Sequence, residues 1–186
     1  DNIAYSAPPA NPKARGGGIG LINSNPLIQD VVISGNQVDG WPSLGGGMYC
    51  EDSNPVLQNV RFTGNMAIGI TISYGGGVYL KGSTPVFRNV TISDNSASYG
   101  GGIYSVDGSS PLFDSVIRCN ISFNRAIYGN DLHGGGQTTI FLDTFSVLNP
   151  TQFYVEPLEN FQFDILYGKK EQVEANLYVS PGGDNA

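Results

Sequence analysis

The sequence predicts an all-β fold: a right-handed parallel β-helix (solenoid) of about four to five coils, followed by an irregular β-rich C-terminal cap. Three observations predict it. A segment of roughly 29 residues recurs four times along the chain. Each copy holds two short apolar runs separated by turn-forming residues, and no stretch among the copies has a helical period. Charged residues are only 13% of the chain, whereas Gly (26 residues) and Tyr (10 residues) are abundant, which favours a turn-rich β-protein.

The four copies share fixed positions. They span residues 16–38, 45–67, 75–97 and 100–126, and each begins with three glycines. Three copies end in Asn-x-Ala, and the first ends in Asn-x-Val. A proline precedes the second apolar run, at Pro26, Pro55, Pro85 and Pro111, and the terminal asparagines are Asn36, Asn65, Asn95 and Asn124. These asparagines are 29, 30 and 29 residues apart, so equivalent residues should stack from coil to coil.

The residue types at these positions suit a stacked coil. Strands about 4.8 Å apart bury a continuous core that one copy alone could not form. Glycine permits a sharp corner with no side chain against the neighbouring coil, and proline precedes a strand without breaking its ladder. Asparagine tolerates a left-handed backbone, and its amide can bond to equivalents above and below. We therefore predict that the four terminal asparagines form a structural ladder.

The same register predicts contacts between neighbouring coils. Glu51 and Lys81 share one column, and Arg88 and Asp114 share another, so opposite charges should stack. Tyr49, Tyr79 and Tyr104 form a third column and should stack as an aromatic ladder.

Three regions are predicted along the chain. Residues 1–136 form the β-helix repeats, and Asn2-Ile3-Ala4 fits the end of a repeat, so we expect a coil to start before residue 1. A fifth triplet, residues 134–136, marks where regular repetition decays. Residues 137–177 form an irregular cap that continues the core, closed by Phe141, Phe145, Phe153 and Tyr154. Residues 178–186 are a polar tail, interpreted as the start of a following module.

Composition excludes several classes of function. The net charge of −7 argues against a nucleic-acid partner, because the phosphate backbone requires a basic surface. No run of 18 apolar residues is present, so we expect no membrane span in this segment. The two cysteines, Cys50 and Cys119, fall at different points of the repeat and are predicted to be buried thiols.

Catalytic motifs are weak. A lyase acting on polysaccharide would need clustered carboxylates for Ca²⁺ and a basic residue beside them, and here the acidic residues are scattered. The single histidine, His133, lies near Asp131 in sequence but lacks a nucleophile motif. We therefore predict no catalytic residue, no metal site and no cofactor, with no motif that indicates Ca²⁺.

The tyrosine column has two interpretations. Exposed rings of Tyr49, Tyr79 and Tyr104 could bind sugars by face contact. Packing beneath a loop explains the same pattern and is the favoured alternative. The sequence leaves both open, with these three tyrosines as the candidate ligand-binding residues.

The repeat resembles those of polymorphic outer-membrane proteins and related bacterial surface β-helices. The resemblance rests on GGG followed by Ile, Met or Val, and on the later pattern Phe/Ile-x-x-Asn, as in Phe62-Thr63-Gly64-Asn65. It covers residues 16–126 and implies a pectate-lyase-like β-helix that is exported to the cell surface or exterior. The segment YVSPGGD at 178–184 resembles the opening of secreted bacterial β-helix modules.

These observations lead to one functional hypothesis and two alternatives. We expect a non-catalytic structural or binding segment of a larger exported β-helix protein, presenting a surface for adhesion, with glycans or a host or cell-surface partner as the ligand. The first alternative is a carbohydrate-active, polysaccharide lyase-like enzyme module. The second is a passive spacer stalk.

Overall fold

The computed structural model of the chain describes residues 2–5, 13–69 and 72–169. Within these ranges the chain forms β-strands and one short 3-10 helix, Leu158–Asn160. In chain order the strands are β1 (Ile3–Tyr5), β2 (Ala14–Arg15), β3 (Ile19–Ile22), β4 (Leu27–Gln29), β5 (Val32–Ser34), β6 (Gln37–Gly40), β7 (Ser43–Leu44), β8 (Met48–Glu51), β9 (Val56–Gln58), β10 (Arg61–Thr63), β11 (Met66–Gly69), β12 (Ser73–Tyr74), β13 (Val78–Lys81), β14 (Val86–Arg88), β15 (Thr91–Ser93), β16 (Ile103–Val106), β17 (Leu112–Phe113), β18 (Cys119–Ser122), β19 (Leu132–Gly134), β20 (Thr138–Phe145), β21 (Val155–Glu156) and β22 (Phe161–Gly168).

The strands stack into five sheets, and the strand pairs in the described ranges are all parallel. Sheet I is β3-β8-β13-β16-β19-β21, sheet II is β4-β9-β14-β17, and sheet III is β5-β10-β15-β18-β20-β22. Sheet IV is β1-β6-β11, and sheet V is β2-β7-β12. From β3 to β12 the chain visits sheets I to V in turn, twice, whereas the strands described after β12 belong to sheets I to III. This is a parallel β-solenoid of about four turns, so the predicted fold class is confirmed.

Inward columns of apolar side chains form the core. One column follows the register of sheet III through Ile33, Phe62, Ile92, Ile121 and Phe145, all buried. Neighbouring strand positions point outward, as the two-residue period of a strand requires. Full burial of each such side chain stabilises the fold by about 1.5–3 kcal/mol.

The four terminal asparagines lie in one buried column at the corner between sheets III and IV. The Nδ2 of Asn36 donates to Asn65 Oδ1, that of Asn65 to Asn95 Oδ1, and that of Asn95 to Asn124 Oδ1, each over 2.9 Å. The same oxygens also accept backbone N–H bonds from the preceding coil's asparagine, at 2.9–3.1 Å. The ladder therefore satisfies buried polar groups that would otherwise be costly.

The left-handed backbone falls one residue earlier than expected. The residues with positive φ are those before the ladder asparagines: Gly35, Gly64, Asp94 and Phe123. The ladder asparagines are thus selected for side-chain hydrogen bonding and not for left-handed geometry, so that part of the expectation was wrong.

The first and third glycines of each triplet have different structural roles. The first glycine has positive φ, for example 71° at Gly45. The third lies directly under the next coil: a Cβ on Gly47 would stand 2.6 Å from the carbonyl oxygen of Gly77. The close approach of two backbones therefore requires glycine there.

The triplet position of the fifth coil is filled by other residues. Gly129-Asn130-Asp131 lies beside Gly100-Gly101-Gly102, because the N–H of Gly100 bonds to Tyr128 O and that of Gly102 to Asn130 O. The sequence triplet at 134–136 instead starts at the last residue of β19 and follows that strand. It is therefore not equivalent to the other triplets.

Beyond residue 136 the chain continues two of the sheets. β20 and β22 extend sheet III, with an irregular register between Cys119 and Asn120, and β21 extends sheet I. Phe145 is buried, and Phe141 and Tyr154 pack partly against the core. Phe153 is 65% exposed, so its predicted role in closing the core was wrong: it lies in the turn before β21, with its ring edge-on to Tyr154. The predicted tail, 178–186, lies outside the described residues.

Candidate functional site

The tyrosines predicted to share a column do stack. Tyr49 pairs with Tyr79 and Tyr79 with Tyr104 in the register of sheet I. Their ring centroids are 5.3 and 5.5 Å apart, and the planes differ by 9° and 14°. The column continues to the ring of His133, 5.3 Å from Tyr104.

A second aromatic column runs beside the first and was missed by the sequence argument. It consists of Tyr74, Tyr99 and Tyr128, which sit one residue before the first glycine position of their coils. Tyr74 stacks on Tyr99 at 5.3 Å and Tyr99 on Tyr128 at 4.7 Å. The recurring Tyr-Gly pair could have predicted this column. The tyrosine was overlooked because each repeat was taken to begin at the glycine that follows it.

The two columns contact each other and form one surface. Tyr74 lies 4.7 Å from Tyr104 with tilted rings, and Tyr99 meets His133 edge-on at 5.1 Å. The seven side chains are called the tyrosine strip: Tyr49, Tyr74, Tyr79, Tyr99, Tyr104, Tyr128 and His133. Offset and edge-on aromatic pairs of this kind add about 0.5–1.5 kcal/mol each beyond burial.

Access to the strip rises along the helix axis. Tyr49 is 1% exposed and Tyr79 8%, whereas Tyr128 at the other end is 43% exposed. The first two tyrosines therefore offer a ligand no free ring face. The accessible rings of the strip are those of Tyr74, Tyr99, Tyr104 and Tyr128, which are partly or largely exposed.

The buried end of the strip is fixed by Glu51. Its carboxylate accepts hydrogen bonds of 2.6 Å from both the Tyr49 hydroxyl and Lys81 Nζ, and Arg15 approaches it at 3.5 Å. Arg15 also lies over the Tyr49 ring, 5.0 Å from its centroid. The Lys81 hydrogen bond is the main cause that lowers the pKa of Glu51. The predicted stacking of Glu51 with Lys81 is present, as is that of Arg88 with Asp114 at 3.2 Å.

The phenols of Tyr49, Tyr74, Tyr79 and Tyr104 are neutral hydrogen-bonding groups at neutral pH. Burial raises the pKa of Tyr79 to about 12 and also raises that of Tyr49, Tyr74 and Tyr104. Among the described residues, none hydrogen-bonds to the hydroxyl of Tyr74, Tyr79, Tyr99, Tyr104 or Tyr128. Each of these hydroxyls can both donate to and accept from a ligand.

His133 and Asp131, which are close in sequence, make different contacts. Asp131 is buried, and its Oδ1 accepts from Asn124 Nδ2 at 2.9 Å. Within the described residues, His133 Nδ1 has no hydrogen-bond partner. Burial lowers the pKa of His133, with partial compensation by Glu156 on the next strand. The imidazole is therefore mainly neutral at pH 7 and acts as an aromatic member of the strip.

The other reactive groups are separated. Cys50 in β8 and Cys119 in β18 are free and buried in different sheets, and burial raises the pKa of both thiols, to about 12 for Cys119. In the described part of the chain, no three His, Cys, Asp or Glu side chains are grouped so as to hold a metal ion. No helix of the described ranges has the length and apolar character needed to cross a bilayer.

Comparison with known proteins gives one match. The family model for the right-handed beta helix region matches residues 2–146, well over half of the chain. Neither the curated proteins nor the solved structures gave a match.

Proposed function

The chain belongs to the right-handed β-helix family, and on this premise we propose that it is a non-catalytic segment of a larger exported β-helix protein that contacts glycans through the tyrosine strip. The observation that carries the proposal is the row of phenol hydroxyls that bond to no described residue. Four of them, those of Tyr74, Tyr99, Tyr104 and Tyr128, lie on partly or largely exposed rings, in two columns along one side of the coil stack.

The chemistry of the strip suits a sugar. Tyrosine presents an apolar ring and a polar hydroxyl together, and it loses little conformational freedom on binding. The rings are already held by stacking, so binding would order few additional side chains. Equivalent hydroxyls recur in successive coils, at Tyr74, Tyr99 and Tyr128 in one column, which fits a polymer with a regular series of hydroxyl groups.

The non-catalytic part of the proposal rests on how the polar residues are used. The buried asparagines bond to one another, and Asp131 bonds to the end of their ladder. Glu51 and Asp114 each pair with a cation on a neighbouring coil, and Asp164 pairs with Arg118. These residues are accounted for by the coil itself.

Location outside the cell is part of the same proposal. Its support is the likeness of the repeat to those of bacterial surface β-helices, together with a ligand class that is abundant on cell surfaces. Adhesion would then follow from glycan contact along the strip.

A glycan array followed by calorimetric titration tests the proposal. Tyr99→Phe with Tyr104→Phe removes two hydroxyls and keeps the stacked rings, while Tyr167→Phe removes an exposed hydroxyl outside the strip and serves as the control. We expect the wild-type chain to bind a glycan, the double variant to bind about tenfold more weakly, and the control to match the wild type. Absence of binding by the wild type would leave the passive spacer, and cleavage of a bound polysaccharide would support the enzyme alternative.

A further inference from the structure

We propose that Tyr99 and Tyr128 are a site of oxidative cross-linking, at which a carbon–carbon bond between their rings joins two neighbouring coils. Among the described residues they are the closest face-stacked pair of tyrosines, with ring centroids 4.7 Å apart and planes that differ by 20°. The modification uses the rings themselves and not their contact with a ligand, so it is independent of the proposed glycan binding.

The backbone holds the two tyrosines in register. They form a parallel bridge, so they occupy the same position in adjacent coils. The N–H of Gly100 donates to Tyr128 O at 3.0 Å, and the N–H of Tyr128 donates to Ser98 O at 3.1 Å. Because the strand spacing is about 4.8 Å and the side chains leave the backbone in the same direction, equivalent ring atoms face each other. These include the ortho carbons beside each hydroxyl.

The pair lies within the coil stack and not at its end. The N–H of Asn130 donates to Phe153 O at 3.0 Å, so the next coil passes beside Tyr128. On the other side, Tyr74 stacks on Tyr99 at 5.3 Å. Tyr128 is 43% exposed and Tyr99 is partly exposed. Their rings are therefore accessible because the side chains point away from the core.

Face stacking is the geometry that coupling of two phenols requires. Loss of one electron and the hydroxyl proton gives a phenoxyl radical, whose unpaired electron is shared by the oxygen and the ortho and para ring carbons. It occupies orbitals perpendicular to the ring, so stacked rings direct these orbitals at each other. The para carbon carries the side chain, which leaves the ortho carbons to react. Two radicals held in this way are close to the bonding geometry before they form.

The reaction balances with hydrogen peroxide as the oxidant and a peroxidase as the catalyst. Each phenol gives up one electron and one proton, and the two radicals combine into one bond between ortho carbons. The hydrogen on each ortho carbon then moves to the oxygen of the same ring, which restores both phenols. The chain loses two hydrogen atoms in total, and one hydrogen peroxide is reduced to two waters.

Other pairs in the tyrosine strip are less suited to this reaction. Tyr79 is 8% exposed, so an enzyme cannot reach the rings of its stacked pairs together. Tyr74 lies 4.7 Å from Tyr104, but their planes are inclined by 55°. The nearest competitor is Tyr74 with Tyr99, which is more distant at 5.3 Å and more inclined at 29°. We therefore expect Tyr128 to be the main partner of Tyr99.

Oxidation of the dilute full chain by a peroxidase and hydrogen peroxide tests the proposal, because dilution favours coupling within one chain. The monomer should become lighter by two hydrogen atoms and gain dityrosine fluorescence. Trypsin cleaves after Arg88, Arg118, Arg125 and Lys169. Mass spectrometry should find the peptide 89–118, which contains Tyr99, joined to the peptide 126–169. Cross-links found only between chains, or no link between these two peptides, would overturn the proposal.

Conservative variants assign the bond to its residues. Tyr128→Phe keeps a stacked ring that cannot form a phenoxyl radical, so the yield of joined peptides should fall at least about tenfold. Tyr104→Phe and Tyr167→Phe remove the other candidates that lie in the same two peptides, and both should keep the wild-type yield. A wild-type yield from Tyr128→Phe, or loss of the product in Tyr104→Phe, would contradict the assignment.

The cross-link should also stabilise the fold. Tyr99 and Tyr128 are 29 positions apart in the sequence, so a covalent bond between them restricts the unfolded chain as a disulfide of that loop length does. The oxidised wild type should therefore unfold at a higher temperature than the untreated chain, whereas peroxidase treatment should not raise that of Tyr128→Phe. A lower unfolding temperature for the cross-linked wild type would contradict a bond that fits the native stack.

Discussion

The Nδ2 of Asn124 donates a 2.9 Å hydrogen bond to Oδ1 of Asp131, so the buried asparagine ladder ends on a carboxylate. Asp131 occupies the third glycine position of its coil, and the Cβ that Gly102 lacks in the preceding coil would stand 3.0 Å from the same amide nitrogen. A side chain at this position therefore fits only where no further ladder asparagine follows. Asp131 substitutes for the next ladder residue.

Replacing Asp131 tests this end of the ladder. Asp131→Ala leaves Asn124 without its acceptor in a buried site, and we expect a loss of about 1–3 kcal/mol in the free energy of unfolding. Asp131→Asn keeps an oxygen acceptor and should lose less than half as much. Urea denaturation of both variants measures the difference; equal losses would mean that the hydrogen bond to Asn124 is not what stabilises this end.

Replacing a ladder residue in the middle should cost more. Asn65 is 1% exposed, accepts from Asn36 and donates to Asn95 and Ile33. Asn65→Ala leaves several buried polar groups without hydrogen-bond partners, so we expect a loss of about 3 kcal/mol or more in the free energy of unfolding. Asn54→Ala removes an asparagine whose bonds to Thr84 are exposed, and it should cost under about 1 kcal/mol. Similar losses for the two variants would contradict the role of burial in the ladder.

Two glycines in the first coils make a matched pair. A Cβ on Gly47 would stand 2.6 Å from Gly77 O, whereas a Cβ on Gly20 would meet nothing within 4 Å. Gly47→Ala must displace the backbone of the next coil, so we expect a loss of about 3 kcal/mol or prevention of folding. Gly20→Ala should be neutral or stabilising by up to about 1 kcal/mol. Thermal unfolding of both chains gives the comparison, and a tolerated Gly47→Ala would argue against the tight coil spacing.

Acid sensitivity should depend on Glu51. Folding lowers its pKa below 4.5 through the Lys81 and Tyr49 hydrogen bonds. The unfolded chain therefore takes up the proton more readily, so the stabilisation is complete above pH 4.5 and is lost as the pH falls through the folded-state pKa. We expect the stability of the wild type to fall more steeply in that range than that of Glu51→Gln. Lys81→Met should flatten the same dependence; unchanged slopes in both variants would rule out this carboxylate as the cause.

Much of the fold could be predicted because the repeat fixes which residues share a column. Glu51 and Lys81 are an example: once the glycines and asparagines were aligned, their stacking followed without any knowledge of the structure. The separation of the two cysteines followed in the same way from their different places in the repeat.

The predictions that were wrong or incomplete concern residues at the end of the repeat region or just outside the aligned positions of a repeat. Gly134–Gly136 looks like a fifth triplet, yet the coil uses Gly129-Asn130-Asp131 instead. The third position carries a side chain there because the carboxylate of Asp131 accepts the last hydrogen bond of the asparagine ladder. Phe153 is apolar but lies in a turn, so composition alone misplaced it. Tyr99 and its column were missed because they precede the glycines that defined the alignment. The exposure of each ring in the tyrosine strip depends on the residues that pack over it. The repeat pattern does not predict that packing.

The buried ladder is the central claim, and exchange of asparagine side-chain amide protons tests it most directly. Two-dimensional NMR can follow the Nδ2 protons of Asn65, Asn95 and Asn124 beside those of the exposed Asn54 and Asn59. The ladder amides should exchange orders of magnitude more slowly than the exposed ones, with protection approaching that of global unfolding. Exchange of the ladder amides as fast as that of Asn54 would contradict a continuous hydrogen-bonded column and the coil register built on it.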